Sequence, residues 1–233
     1  LIFHFRRNFF FVDQNFFKKK QYLKYIKKYN NFPSHYIPAK FLDTLRHMVP
    51  IFFLTKFFPI EYAGYFILVF QVINYPLMFV SNSVTVIQFK KVSELLNNNL
   101  DIKPYLIKLM LLLSCIIFFP AITFFLYAPE IFSFIFGKNW IFAGLFAQTL
   151  IPSLALKFII APLGSMMINT GNLKLYNLWQ IFSFLSVFCT LFYFSEILDV
   201  LSLIKVFNLV NFFIHSILVM LVTYSAFNIK KIN

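Results

Sequence analysis

Long apolar stretches separated by short polar ones dominate this chain. A membrane-spanning helix needs about 20 predominantly apolar residues, and six stretches approach or exceed that: Phe41–Phe58, Tyr62–Phe89, Pro104–Tyr127, Trp140–Ile168, Leu173–Ser195 and Val200–Phe227. The first is the weakest, because it carries Asp43, Arg46, His47 and Lys56. Pro, Gly and Asn punctuate the gaps, as in Phe58-Pro59-Ile60-Glu61, Ala128-Pro129-Glu130, Gly137-Lys138-Asn139 and Asn169-Thr170-Gly171-Asn172. A membrane β-barrel would instead alternate apolar and polar residues in segments of about 10. The pattern predicts an all-α, polytopic transmembrane bundle of six full helices.

The segments outside the spans set the expected organisation. Residues 1–5 read as the end of a preceding transmembrane helix and 6–40 as a basic cytoplasmic connector. Residues 41–228 read as the six-helix lobe and 229–233 as a cytoplasmic tail. Within the connector, Phe16–Tyr29 has the basic, aromatic character of an amphipathic helix on an anionic leaflet, or of a loop that only sets topology. The chain opens inside an apolar run without Met, which reads as a piece of a longer membrane protein.

Composition narrows the class further. The chain is 60% hydrophobic and only 12% charged, against about 25% charged in soluble domains, so a soluble or disordered protein is excluded. Its net charge of +13 could suit a nucleic-acid binder, but no soluble fold remains to carry a basic face. The charges instead sort by membrane side. Residues 6–40 hold nine Lys and Arg, and alternating six helices puts Lys90, Lys91, Lys103, Lys108, Lys174, Lys230 and Lys231 on the same side. Near the opposite ends stand only Lys56, Lys138 and Lys205. By the positive-inside rule both ends of the segment are cytoplasmic, in a multi-pass protein of the plasma membrane.

What remains are polar groups inside the spans. Lys157, 17 residues from Trp140 and 12 from Asn169, is too deep to reach either surface easily. An intramembrane charge of this kind costs about 2.5–3.5 kcal/mol on insertion scales and is read by default as functional, against packing onto a carboxylate or carbonyl. At 100° per residue, Asp43, Arg46 and His47 share a face, though Asp43 and Arg46 can simply pair with each other. Gln71, Asn74, Ser81, Asn82 and Thr85 form one stripe and Lys205, Asn208, Asn211 and His215 another. Amides can glue membrane helices together, whereas two long stripes suit a hydrated interior. Pro50, Pro76, Pro120, Pro152 and Pro162 lie inside the spans and favour kinks. Cys115 and Cys189 sit in apolar runs, and no phosphate loop, metal cluster or nucleophile–base pair stands out. No metal or cofactor is expected.

Several motifs resemble a known pattern. Tyr29–Leu42, with Phe32-Pro33 and Pro38-Ala39, resembles the segment leading into the C-terminal lobe of bacterial polysaccharide (O-antigen) flippases. Val49-Pro50-Ile51, Glu61-Tyr62-Ala63-Gly64-Tyr65-Phe66 and Tyr75-Pro76-Leu77 resemble later steps of that family. Phe136-Gly137-Lys138-Asn139-Trp140-Ile141-Phe142-Ala143-Gly144 is similar to its Phe-Gly-x-x-Trp-x-x-Ala-Gly block, followed by Pro152 and Ala161-Pro162-Leu163. Thr85–Phe89 departs from a more usual aromatic-rich ending.

The resemblance covers Tyr29 to the C-terminus and implies the second lobe of a two-lobe, twelve-helix fold of the multidrug/oligosaccharidyl-lipid/polysaccharide exporter superfamily. It implies a missing N-terminal six-helix lobe. It also implies alternating-access transport of an undecaprenyl-diphosphate-linked oligosaccharide across the bacterial inner membrane, for cell-surface polysaccharide such as the O-antigen of lipopolysaccharide. The expected partners are that lipid-linked oligosaccharide and membrane lipids, not nucleic acid. For such a substrate Arg46 and Lys157 are the candidate electrostatic contacts, and Asn74, Asn208 and Asn211 the candidate sugar contacts. The alternatives are a peptidoglycan-precursor flippase, a drug/cation antiporter, or an integral membrane glycosyltransferase or polymerase. The last should carry a large catalytic loop, and the longest outer connection expected here is Tyr127–Asn139 with one acid.

Overall fold

A computed structural model describes residues 31–164, 166–169 and 172–227. The expected terminal helix at 1–5, the connector up to residue 30 and the tail at 229–233 lie outside the described residues. Six long helices account for nearly all of what is described, and no strand occurs among those residues. They are α1 (Asn31–Phe57), α2 (Ile60–Asn97), α3 (Lys103–Phe136), α4 (Ile141–Gly164), α5 (Leu173–Phe194) and α6 (Val200–Phe227). A single turn, Met166–Asn169, follows α4.

Among the described residues, five helices are long and apolar enough to cross a membrane: Ile60–Asn97, Lys103–Phe136, Lys138–Gly164, Leu173–Phe194 and Val200–Ala226. The exterior agrees with a lipid surrounding, since α3 leaves Phe119 75% and Phe134 91% exposed along with Leu111 and Leu112. α1 is not among the five, because Lys40, Asp43, Arg46 and Lys56 all fall on it. It nevertheless packs into the bundle, against α5 and the start of α2.

The central element is α4. It lies against α2, α3 and α6, and its buried residues fall on every side, from Ala143, Gly144 and Phe146 through Leu150, Ile151 and Leu154 to Phe158 and Ile160. A helix apolar all round belongs inside a bundle.

Three differences from the sequence expectation stand out. α1 begins at Asn31, so residues 31–40 of the expected connector are helical and Pro38 lies within a helix. α3 runs through Ala128-Pro129-Glu130, expected as a connection, and stops only at Phe136. Pro129 has no N–H for the carbonyl of Phe125, and the side chain of Gln148 on α4 supplies one, donating from Nε2 to that oxygen at 2.7 Å. A membrane helix tolerates proline where a neighbour satisfies the freed carbonyl. The true break is Gly137, whose φ of 98° is a conformation glycine adopts without strain.

The third difference is internal. Between Val69 and Tyr75, α2 forms a π turn, Phe70–Asn74, in which the Tyr75 N–H donates to the Phe70 carbonyl five residues back. Pro76 follows immediately, within the first turn of the α-helix that resumes there. The inserted residue rephases the helix. Gln71 is therefore exposed while Asn74 is buried, although a uniform 100° step puts both on one stripe.

Candidate functional site

Four helices line a common cavity, and three of them turn polar side chains toward it. From α1 come Arg46, His47 and Pro50; from α4, Leu150, Ser153, Leu154 and Lys157; from α6, Phe207, Asn211 and His215. Each set follows i, i+3, i+4 or i+7 spacing, so each lies on one helix face. α2 adds Phe70 from the π turn.

Lys157 stands at the meeting point of α1, α2 and α4. Its Nζ donates to Asn74 Oδ1 at 3.3 Å and lies 3.4 Å from His47 Nε2. Asn74 ends the π turn, so the extra residue in α2 delivers the amide that Lys157 uses. Lys157 is seven residues from the end of α4 at Gly164, nearer a helix end than a span to Ile168 suggests.

Arg46 is 5% exposed. One nitrogen, Nη2, donates to Asp43 Oδ1 at 3.3 Å, and the guanidinium carbon lies 5.7 Å from the centre of the Trp179 ring on α5. Trp179 is held by its own Nε1–H, which donates to the Ile214 carbonyl of α6 at 3.1 Å. The second nitrogen, Nη1, is buried without a hydrogen-bond partner, and so is Nδ1 of His215. Leaving a buried charged donor unpaired is costly. An unpaired guanidinium N–H and an unpaired ring nitrogen, both on residues lining one cavity, mark it as a place where a polar or anionic ligand would be stabilised.

The charge balance points the same way. Asp43 is shared among Lys40 at 3.0 Å, Arg46 at 3.3 Å and His47 at 3.8 Å. Lys157 has an amide and an imidazole beside it and, among the described residues, no carboxylate within ion-pair distance.

Of the residues expected from sequence, Arg46, Lys157 and Asn211 line the cavity, and Asn74 joins it through Lys157. Asn211 donates from Nδ2 to the Phe207 carbonyl at 2.9 Å. Asn208 uses its Oδ1 to accept the Ser153 N–H of α4 at 3.3 Å, tying α6 to α4 beside Pro152. Lys205, on the same expected stripe, is exposed. Sequence reasoning placed His47 beside Arg46 but did not name it as a site residue, and it missed Ser153. The spacing from Ser153 to Lys157, i to i+4, was the available signal. Among the described residues, no group of His, Cys, Asp and Glu is arranged to hold a metal ion.

Residues 9–145 match the family model described as "Polysaccharide biosynthesis protein". The match contains Arg46, His47, Asn74 and the Phe136–Gly144 block, and it ends as α4 begins, before Lys157. No curated protein and no solved structure matches the chain.

Proposed function

Because the chain belongs to the polysaccharide biosynthesis protein family, we propose that it serves in moving an undecaprenyl-diphosphate-linked oligosaccharide from the inner to the outer leaflet of a bacterial plasma membrane. In this reading it acts by alternating access and without catalysis, as one lobe of a larger transporter in which α1 is a sixth span and both ends of the segment are cytoplasmic. The observation that carries the reading is the buried Arg46 with its unpaired Nη1, in a cavity that also holds Lys157.

The physical requirement is plain. A diphosphate carried through hydrocarbon loses its hydration, and an unpaired charge there is prohibitively unfavourable. A preformed cationic cavity replaces part of that hydration. Arg46 would meet the phosphate oxygens through Nη1 while Asp43 and Trp179 fix its plane, and Lys157 would add a second, more mobile charge. Beyond the phosphates the amides divide the work. Asn208, whose oxygen is occupied, offers its NH2 to a sugar hydroxyl, and Asn211, whose NH2 is occupied, offers its oxygen. Asn74 positions Lys157.

The test is a vesicle assay of the full-length protein with a fluorescent lipid-linked oligosaccharide. Arg46→Gln and Lys157→Met each should lower the initial flipping rate at least tenfold at equal reconstitution. Unchanged rates in both variants would remove these residues from transport, and no flipping by the parent protein would reject the reading.

A further inference from the structure

His47 stands between two neighbours that ask opposite things of one nitrogen. Its Nε2 lies 3.4 Å from Lys157 Nζ on α4, and 3.8 Å from Asp43 Oδ1 one turn back on α1. Two basic nitrogens at hydrogen-bond distance need a lone pair on one of them. Lys157 also donates to Asn74 Oδ1 at 3.3 Å; when charged, its ammonium has no lone pair, so Nε2 is the acceptor and the imidazole carries its hydrogen on Nδ1. Once protonated, Nε2 has no lone pair left. It then faces Lys157 as a second cation, and its new N–H finds an acceptor in Asp43.

We propose that His47 is a proton-operated latch between α1 and α4. With Nε2 unprotonated, it accepts a hydrogen bond from Lys157 and holds the two helices together. When Nε2 takes up a proton from water in the cavity, its hydrogen bond passes to Asp43, within α1, and the Lys157 ammonium is released.

The surroundings leave release as the outcome. The charged and titratable groups facing His47 are Lys40, Asp43 and Arg46 on α1, Lys157 on α4 and His215 on α6. α2 contributes Asn74 beside Lys157 and the ring of Phe70, edge-on with its centre 6.3 Å from that of His47. On α5, the neighbour of Arg46 is the uncharged Trp179. Among the described residues, Asp43 is the only carboxylate in the group, and it already serves Lys40 and Arg46. A new positive charge at His47 therefore has no spare anion to shield it from Lys157, and separation is the available relief. His is suited to this task because the same ring nitrogen accepts a hydrogen bond when bare and donates one when protonated. The consequence for transport, a freed ammonium for the diphosphate, rests on the reading above; the latch itself does not.

The experiment therefore reads the helices, without substrate. The full-length protein, with Cys115 and Cys189 replaced by Ser, is spin-labelled at Met48→Cys on α1 and Ala161→Cys on α4, both exposed, and reconstituted in nanodiscs. Pulsed EPR distances are compared at pH 8 and pH 5. The parent should show a single narrow distribution at pH 8 that shifts or broadens at pH 5. His47→Gln should abolish the pH response, and Lys157→Met should give the broad distribution at both values. Imidazole 15N spectra of the unlabelled full-length protein, with the His47 signal assigned by its loss in His47→Gln, should show Nε2 bare at pH 8 and protonated at pH 5. A pH response that survives His47→Gln, or an Nε2 that carries hydrogen at pH 8, overturns the latch. A normal latch in a protein that flips nothing would instead overturn the transport reading alone.

Discussion

Gly144 on α4 rests directly on the backbone of Pro129 on α3. A Cβ added to Gly144 would stand 2.7 Å from the Ala128 carbonyl oxygen and 2.8 Å from the Pro129 nitrogen, closer than real side chains come to backbone. Backbone cannot swing aside as a flexible side chain does. Gly144→Ala should therefore separate α3 from α4 and cost about 1–3 kcal/mol, the usual range for overpacking, or more. The check is thermal unfolding of the purified protein in detergent. Stability equal to the parent would show that the two helices are not held this closely. Gly64, with nothing near its added Cβ, is the control and should tolerate Ala far better.

A second prediction concerns the same joint. Gln148 supplies the Phe125 carbonyl with the donor that Pro129 lacks, so Gln148→Leu should cost ~1 kcal/mol, the net worth of one such bond. Pro129→Ala restores a backbone N–H to that carbonyl. In a double-mutant cycle the penalty of Gln148→Leu should then largely vanish on the Pro129→Ala background. Equal penalties on both backgrounds would mean that Gln148 acts elsewhere.

Arg46 should not be replaceable by Lys. A single ammonium cannot bond Asp43, lie against Trp179 and keep a second nitrogen toward the cavity, as the planar guanidinium does. Arg46→Lys should lower flipping about tenfold, roughly 1.4 kcal/mol in barrier, with the charge unchanged. Full activity in the flipping assay would reduce the role of Arg46 to charge alone.

Asp199 caps the last helix. Its Oδ2 accepts the N–H groups of Leu201 and Ser202, both at 3.1 Å, at the start of α6. Hydrogen bonds from the Ser202 side chain and backbone hold the carboxyl below its ordinary value. A carboxyl whose folded value is depressed adds stability that is fully present above the unfolded value, near 4, and that is lost as pH falls toward the folded one. Asp199→Ala should thus lower the unfolding temperature at pH 7, and the gap to the parent should narrow only below about pH 4. A gap independent of pH down to 3 would show that the cap owes nothing to the charge. Asp199→Asn, which keeps an acceptor oxygen, should recover part of the loss.

The helices were legible because membrane insertion imposes its rule locally. A long apolar run must satisfy its backbone within itself, and five such helices stand where the runs predicted. The misplaced stop at Ala128-Pro129-Glu130 was illegible for the opposite reason: the donor that lets α3 continue, Gln148, lies 23 residues away from Phe125 on another helix. The π turn hid as well. A period of 3.6 assigned Gln71 and Asn74 to one face, while the extra residue in Phe70–Asn74 exposes the first and buries the second.

The same division holds for the site. Sequence alone determined which polar groups sit in apolar helices, and so singled out Arg46, Lys157, Asn74, Asn208 and Asn211, because a charge or amide in hydrocarbon is conspicuous by its cost. Only the tertiary structure decided which of them meet. It placed Lys157 between His47 and Asn74 on helices distant in the chain, and it used the Asn208 oxygen to hold the Ser153 N–H. Burial cost belongs to a residue and its own helix. Pairing depends on how neighbouring helices rotate against each other, and no single run of sequence contains that angle.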